Sequence, residues 1–377
     1  MSGGVDSSVA AALLKKEGCQ VSGVTMKIWG GEALPKEGRR HGCYGPGEEE
    51  DIEDARKVAQ TLDIDFYVFD LSQEYKAEVL DYFCHEYLSG RTPNPCLICN
   101  RKVKFDALLR KTRESGVEFD YVASGHYARV EYNKSSHRYL LKKARDLSKD
   151  QSYFIASLSQ EQLGRSLFPI GDYTKEEVRK MAADFGLSVS HKPESQDFTA
   201  GGYSSLVAAA PPGPILDKQQ NILGEHRGIP FYTIGQRKGL GISGKQPHYA
   251  TDIDQSKNTV GQRQGLGVSA REPLYVTDID PEKNAIIVGN KEDVYRDELI
   301  ASGLNWVAIA ELKRPTRVKA RIRHLHQESE AVITPVSDDK VYVKFKEPQM
   351  AIAPGQAVVF YQGDIVIGAG TIERARE

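Results

Sequence analysis

The chain has 377 residues, a formal net charge of -2 and 27% charged residues, which is typical of a water-soluble globular protein with more than one domain. Without a global basic excess, nucleic acid would have to bind through a local basic patch. No apolar run reaches membrane-spanning length and no room is left for a signal peptide, so we expect no membrane partner and a cytoplasmic location. The five cysteines are too few and too unevenly spaced for a disulfide framework.

The first element is a glycine-paired, hydroxyl-rich turn that leads into a helix predicted from Val9 to Lys16. The glycines leave room for an anion and let backbone N–H groups point at it, while the helix start adds a positive dipole end. A carboxylate beside phosphate requires a divalent cation such as Mg2+ between the two. No lysine follows the glycines, which excludes the Walker A pattern. The turn therefore predicts a phosphate site formed by Ser2, Gly3, Gly4, Val5, Asp6, Ser7 and Ser8.

Strand and helix patterns then alternate through the first half of the chain. Strand-like apolar patterns occur at 24–28, 65–71 and 120–130, and helical spacing occurs at 52–62, 75–83 and 178–185. The alternation predicts a doubly wound α/β domain with ligands beyond the carboxyl ends of its strands. A phosphate turn normally follows a strand, and none precedes Met1, so either the start is late or that strand is absent.

A C-x-x-C pair, Cys96 and Cys99, precedes a helix that is predicted to begin near Asn100. A helix N-terminus and nearby cations such as Lys104 favour thiolate over thiol, which would make these cysteines nucleophilic at neutral pH. Structural zinc would need four ligands, and the sequence has no second C-x-x-C. A redox-active dithiol and two incidental cysteines remain as alternatives.

Beyond residue 200 the sequence consists of short β-prone runs broken by Gly and Pro, which predicts small β-rich modules. Residues 235–260 and 261–286 form a tandem repeat, in which GQRKGLGIS returns as GQRQGLGVS. Two units are too few for a solenoid, so we interpret the repeat as a duplicated hairpin unit.

A basic stripe follows at 317–323, where cations alternate with apolar residues such as Ile322. A strand here would turn all the cations to one face and would offer a surface to a polyanion, although a solvated amphipathic strand has the same pattern. The expected RNA-facing cations are Arg317, Lys319, Arg321 and Arg323.

Seven segments occur in the order seen in tRNA-specific 2-thiouridylases, and the chain resembles this family over almost its whole length. The segments are SGGVDSS, GRTPNPCLICNRKVKF, ASGHYARV, KDQSYF, KPESQDF, FYTIGQRKGLGI and APGQAVVFY. The resemblance implies a PP-loop ATP pyrophosphatase domain at 1–199, a small central domain with the duplicated hairpin at 200–272, and a C-terminal tRNA-binding β-barrel at 273–377.

The same resemblance implies a reaction. ATP and Mg2+ would adenylate the carbon-2 oxygen of the wobble uridine of tRNA, and persulfide sulfur would then displace AMP. The implied partners are tRNA and a persulfide-donating sulfur carrier or cysteine desulfurase. Two rivals remain, namely another PP-loop adenylating synthetase that acts on a small substrate, and a catalytically idle tRNA-binding homologue.

The resemblance also implies roles for single residues. The phosphate turn, Met26 and Gly125 would hold ATP, and Cys99 matches the family's nucleophile. The implied tRNA contacts are Asn94, Pro95, Cys96, His126, Lys149, Asp150, Gln151, Arg321, Ile322, Arg323 and Gln356. Considered alone, His126 would be an ordinary hydrogen-bonded histidine, and Lys149 with Asp150 a solvated helix start.

The cysteines depart from the family pattern. Thr199 stands where the family has its second catalytic cysteine, and Cys96 stands where many members have Asp. No cysteine follows Cys99, so sulfur exchange with a distal cysteine is impossible in this chain. Either Cys96 replaces the missing partner, or Cys43, Cys96 and Cys99 hold an iron–sulfur cluster. Cys43 could also be an incidental loop cysteine.

Overall fold

The computed structural model describes residues 1–31, 42–193, 197–199, 206–207, 210–241 and 273–376. Helices and strands alternate in the first half. The strands are β1 Ser22–Lys27, β2 Gly42–Tyr44, β3 Asp65–Asp70, β4 Val122–Ala123, β5 Ala128–Asn133, β6 Arg138–Lys143, β7 Ser166–Leu167 and β8 Asp197–Thr199. The helices are α1 Val5–Lys16, α2 Glu48–Thr61, α3 Ser72–Tyr75, α4 Asp81–Leu88, α5 Pro95–Ile98, α6 Leu108–Glu114, α7 Ser152–Ile155, α8 Gln160–Gly164 and α9 Lys175–Asp184. Wider π-helical turns, Lys76–Leu80 and Cys99–Ala107, join α3 to α4 and α5 to α6.

Within the described residues, the α/β domain contains three parallel strand pairs, β1–β3, β4–β7 and β2–β8. The backbone amine of Met1 donates to Val24 of β1, and Gly125, just after β4, packs against the start of α1. The phosphate turn therefore lies between two of the parallel pairs. The α1 helix packs with α2 and α9 in one apolar cluster that includes Val9, Val58 and Val178.

Three local expectations need correction. The α1 helix begins at Val5 rather than Val9, because Gly4 caps it and the Ser8 hydroxyl donates to the Gly4 carbonyl. The strand expected at 120–130 is broken, since the chain turns between β4 and β5. The helix expected near Asn100 begins at Pro95, so both cysteines of the C-x-x-C pair are helical.

A second sheet follows, formed by β9 Gly213–Leu216, β10 Ile222–His226, β11 Tyr275–Asp280 and β12 Ala285–Gly289 in the order β10-β9-β12-β11. Strand β11 and the start of β12 lie in the second repeat unit, whereas 242–272, with most of the first unit, lie outside the described residues. Because β12 pairs with β9, residues up to 289 belong to this sheet, beyond the boundary at 272 expected from the sequence.

The last strands close into an antiparallel barrel. They are β13 Tyr295–Trp306, β14 Thr316–Arg321, β15 Ser329–Ser337, β16 Lys340–Met350, β17 Ala357–Gln362 and β18 Ile365–Arg376, in the order β13-β16-β15-β14-β17-β18 with β13 pairing again with β18. Apolar side chains such as Leu299, Val318 and Phe360 fill its interior. The structure thus confirms an α/β domain, a central β domain and a C-terminal barrel. Among the described helices, none is long and apolar enough to cross a membrane.

The barrel shares a hydrophobic core with the α/β domain. Phe105 and Tyr153 pack in the same cluster as Val359 and Tyr361 of β17. The β5–β6 hairpin also meets β18 at the Ile365–Lys142 register. A shared core of this kind fixes the C-x-x-C helix relative to the barrel.

Candidate active site

The phosphate turn has the geometry of an anion site. Gly3 has a φ of +65°, and a Cβ there would lie 2.1 Å from the Asp51 carbonyl oxygen, so only glycine fits. The Ser7 and Ser8 hydroxyls donate to the Gly4 carbonyl at 3.2 Å and 2.8 Å. They hold the first turn of α1 in place, and the N–H groups of that turn have no partner within the helix. The turn therefore offers N–H donors and a helix dipole to phosphate.

Asp6 has a cationic partner within the chain. Its carboxylate accepts hydrogen bonds from Lys175 Nζ at 2.8 Å and 2.9 Å and from the Tyr127 hydroxyl at 3.0 Å. The Lys175 side chain is only 11% exposed. The sequence analysis did not identify Lys175 as a site residue. Thr174 and Glu177 form a capping box that explains the start of α9, so nothing in the local sequence indicates a further role for Lys175. Lys175 adds a positive charge beside the turn.

Mg2+ usually takes one or two protein carboxylates besides phosphate oxygens. Asp6 would supply such a carboxylate at the start of α1. Over the described ranges, no group of three His, Cys, Asp or Glu side chains is arranged to hold a metal ion. The residues thus fit a cation that the phosphates help to bind, rather than a metal held by protein alone.

Gly125 and Met26 flank the turn. A Cβ on Gly125 would lie 2.5 Å from the Asp6 carbonyl carbon and from the Ser7 nitrogen, so the loop after β4 contacts the turn directly. Met26 is a half-buried residue near the carboxyl end of β1, in register with Phe69. Both positions are consistent with ligands beyond the strand ends.

The C-x-x-C pair lies on a capped helix. The Asn94 side chain accepts from the Leu97 N–H at 3.3 Å, and Pro95 occupies the first helical position. Cys96 is half-buried and Cys99 is 8% exposed. The expected bias towards thiolate is wrong, because burial raises the pKa of Cys96 to about 12 and that of Cys99 to about 11. Burial outweighs the opposing effect of the Lys104 charge.

Lys104 is electrostatically linked to the whole site. Burial acts against its charge, but Cys99, Cys43 and Cys96 outweigh that effect and raise the pKa of Lys104. Burial, together with the Lys104 charge, lowers the pKa of His126 to about 3. His126 is therefore neutral at physiological pH, and its Nδ1 lies 2.8 Å from the Ser124 hydroxyl.

Cys43 is far from the C-x-x-C helix in the sequence, but it is close enough to the two cysteines of that helix to interact with them electrostatically. It is an exposed residue of β2, and its charge contributes to the raised pKa of both Cys96 and Cys99. The three thiols do not form a ligand set, as no metal-holding group occurs among the described residues. The iron–sulfur cluster on these three cysteines therefore stays a prediction.

Several residues implied as tRNA contacts also make hydrogen bonds within the chain. Asp150 is buried and accepts from the Ala144 and Ser152 N–H groups, both at 3.2 Å. Gln151 bonds the backbone of Tyr127 through its side chain at 2.9 Å and its N–H at 2.8 Å. The Lys149 N–H donates to the Asp146 carbonyl at 3.1 Å. Gln356 of the barrel donates to the Thr92 and Pro93 carbonyls at 3.2 Å and 3.0 Å.

The basic stripe is divided by burial. Arg321 is 14% exposed and pairs with Glu328 at 2.8 Å and Asp150 at 3.4 Å. Ile322 is buried, and Arg323, beyond the end of β14, donates to the Met350 carbonyl at 3.2 Å. The expected face of four cations is therefore not formed. On β14, Arg317 and Lys319 are the exposed cations.

Protein-family models match each part of this architecture. A tRNA methyl transferase HUP domain matches residues 1–199, a tRNA methyl transferase PRC-barrel domain matches 205–260 and again 259–290, and an aminomethyltransferase β-barrel domain matches 296–372. The double match of the central model agrees with the tandem repeat. Fold and site together define a nucleotide-binding HUP protein of the PP-loop class with two appended β domains.

Curated relatives match along the full chain. The tRNA-specific 2-thiouridylase MnmA of Moorella thermoacetica is 47% identical, with 99% of this chain and 98% of the relative covered. MnmA 1 of Caldanaerobacter subterraneus is 46% identical, with 99% and 96% covered. MnmA of Symbiobacterium thermophilum is 45% identical, with 100% and 91% covered. The chain belongs to the tRNA-specific 2-thiouridylase MnmA family.

Proposed function

We propose that this chain uses ATP to replace the carbon-2 oxygen of the wobble uridine of tRNA with sulfur. The observation that carries the proposal is the loop between β4 and β5. Gly125 contacts the phosphate turn, and its neighbour His126 is within electrostatic reach of Lys104, which is linked to the cysteines. The proposed nucleotide site and the proposed sulfur site would therefore lie on the two sides of one short loop. The MnmA relatives support tRNA as the substrate class.

In the first step, the uridine oxygen attacks the α-phosphorus of ATP and pyrophosphate leaves. The start of α1 would hold the departing phosphates through its N–H groups and dipole. Mg2+, when bound beside Asp6, neutralises phosphate charge. Lys175 holds the Asp6 carboxylate in position through its ion pair and adds a positive charge to the same region.

In the second step, sulfur attacks carbon 2 and AMP leaves. We propose a route through cysteine persulfide without a cluster, because the described cysteines do not form a metal-ligand set. Cys99 is the proposed nucleophile, and Cys96 lies one helical turn before it. Lys104 favours the thiolate of both, so this lysine would help to offset the cost of their burial.

The test is a reaction of labelled ATP with unmodified tRNA and a persulfide donor. We expect pyrophosphate only when tRNA is present, and AMP together with 2-thiouridine only when the donor is present as well. A synthetase for a small substrate would release pyrophosphate without tRNA. An idle tRNA-binding protein would bind tRNA but form neither AMP nor 2-thiouridine, and either result would contradict the proposal.

A further inference from the structure

We propose that a phosphate of tRNA binds in the cleft between the α/β domain and the barrel, and that its binding there favours ATP binding at the phosphate turn. The inference deepens the proposed function and rests on it. Its basis is one loop that contacts both sites, namely residues 144–151 between β6 and α7.

The cleft has a volume of about 350 Å³ and a cationic lining. Its lining residues are Lys143, Leu147, Lys319, Arg321, Gln327 and Glu328, so three cations face one carboxylate. Lys319 is exposed and can meet an incoming phosphate, whereas Glu328 holds the other two cations at 2.7 Å and 2.8 Å. The RNA backbone is the polyanion that such a cleft suits.

The 144–151 loop forms the α/β side of this cleft. Leu147, in the middle of the loop, is 71% exposed and offers an apolar contact to a ribose or a base. Asp150, near the end of the loop, accepts a hydrogen bond from Arg321 at 3.4 Å. The Ala144 and Ser152 N–H groups also donate to Asp150, so both ends of the loop are tied to one carboxylate. A phosphate in the cleft would therefore contact a loop with a defined conformation.

The same loop contacts the ion pair at the phosphate turn by two routes. Asp146 accepts a hydrogen bond from the Lys175 N–H at 3.1 Å. Gln151 accepts from the Tyr127 N–H at 2.9 Å and donates to the Tyr127 carbonyl at 2.8 Å. The Tyr127 hydroxyl in turn donates to Asp6 at 3.0 Å. Both members of the Asp6–Lys175 pair are thus connected to the loop.

Two ligands that favour the same arrangement of one loop favour each other's binding. A phosphate in the cleft would hold the loop from one side, and ATP at the turn would hold Asp6 and its partners from the other. Linkage makes the effect reciprocal, so tRNA and ATP should raise each other's affinity by the same factor. Such factors are typically 5-fold to 150-fold, and we expect about tenfold here.

The experiment measures binding by the full chain, with unmodified tRNA and α,β-methylene ATP, an analogue that cannot be cleaved between the α and β phosphates. Tyr127→Phe removes the hydroxyl that bonds Asp6 but keeps the buried ring. We expect the coupling to fall from about tenfold to below about twofold in both directions. Tyr132→Phe is the matched control and should keep the coupling, because that hydroxyl lies on β5 and contacts His137.

A second pair of variants tests the cleft itself. Leu147→Asp places a negative charge where the phosphate would bind, whereas Leu147→Asn has almost the same size without the charge. The position is exposed, so neither change disturbs the core. We expect Leu147→Asp to lose the coupling and Leu147→Asn to retain it. Inorganic phosphate in place of tRNA should not tighten binding of the analogue.

Full coupling in Tyr127→Phe, equal coupling in the two Leu147 variants, or no coupling in the unaltered protein would overturn the proposal. Tighter analogue binding with inorganic phosphate alone would overturn it in favour of a site for a free anion. These binding measurements do not depend on sulfur transfer. If the coupling is as expected but the unaltered protein forms no 2-thiouridine, only the proposed function is refuted.

Discussion

At the scale of single residues, the protonation state of Cys99 would control the proposed sulfur step. Burial raises its thiol pKa to about 11, so the reactive thiolate is a minor species at neutral pH. Below that pKa, the thiolate fraction grows about tenfold for each pH unit. At neutral pH most Cys99 side chains are therefore protonated and unreactive, and a higher pH would increase the thiolate fraction.

We therefore expect the single-turnover rate of thiolation by persulfide-loaded protein to rise about tenfold per unit between pH 7 and pH 9. Rapid quenching with detection of 2-thiouridine measures this rate. Pyrophosphate release from the same samples is the control and should change much less. A rate that levels off below pH 8 would contradict the raised thiol pKa.

Lys175 gives a second prediction at this scale. Lys175→Met removes the cationic partner of Asp6, so we expect the KM for ATP to rise about tenfold, since a lost charged hydrogen bond costs about 1.5 kcal/mol. Pyrophosphate release at varied ATP concentration is the measurement. Lys180→Met, at an exposed position of the same helix, is the matched control. Equal KM values for the two variants would remove Lys175 from the site.

The β14 strand shows at the scale of one element why a charge pattern does not identify a binding surface. Its alternation was read correctly, as Val318 and Ala320 face the barrel interior. The prediction for its outward face was wrong, because Arg321 binds Asp150, which is 171 residues away in the chain. No local pattern indicates such a partner. A basic residue contributes to a binding surface only if it does not form an ion pair with a carboxylate from a distant part of the chain.

The exposed pair of the stripe is the better candidate for RNA. Changing Arg317 and Lys319 to Gln should weaken tRNA binding and lower the slope of log affinity against log salt by up to about 2. Filter binding across a salt series measures the slope, and the melting temperature should stay unchanged. An unchanged slope would show that these two residues are solvated surface residues that do not contact tRNA.

Arg321 should behave in the opposite way. Arg321→Met leaves Asp150 and Glu328 without their shared cation, so we expect the free energy of unfolding to fall by about 3 kcal/mol. Denaturant unfolding followed by fluorescence is the measurement, and Lys319→Met on the same strand is the control. Equal stability of the two variants would show that the buried ion pairs contribute little.

The phosphate turn and the C-x-x-C helix show what sequence reasoning can and cannot supply at this scale. The turn was predictable because glycine spacing, hydroxyls and helix start are all local. The start of the C-x-x-C helix also has local signals, namely Asn94 as cap and Pro95 at the first position. The prediction overlooked them and placed the helix start after the cysteines, near Asn100. The thiol pKa was not predictable, because it depends on burial by segments far away in the chain.

At the scale of the whole molecule, the barrel is part of the active-site framework. The Tyr153 hydroxyl donates to the Ala357 carbonyl at 2.9 Å, and Gln356 holds the segment that precedes the C-x-x-C helix. Gly355 also lies so close to Thr92 that a Cβ there would be 2.9 Å from its carbonyl oxygen. We therefore expect a change in the barrel to alter the position of Cys96 and Cys99.

Gln356→Ala tests this connection between domains. The variant loses the hydrogen bonds to the Thr92 and Pro93 carbonyls, so the approach to the C-x-x-C helix gains freedom. A displacement of about 1 Å can cost roughly 100-fold in rate, and we expect thiolation to fall at least tenfold while the KM for ATP is unchanged. Gln362→Ala, which removes an exposed barrel bond to the Arg317 carbonyl, is the control. If both variants thiolate tRNA at the rate of the unaltered protein, the barrel holds tRNA without positioning the cysteines.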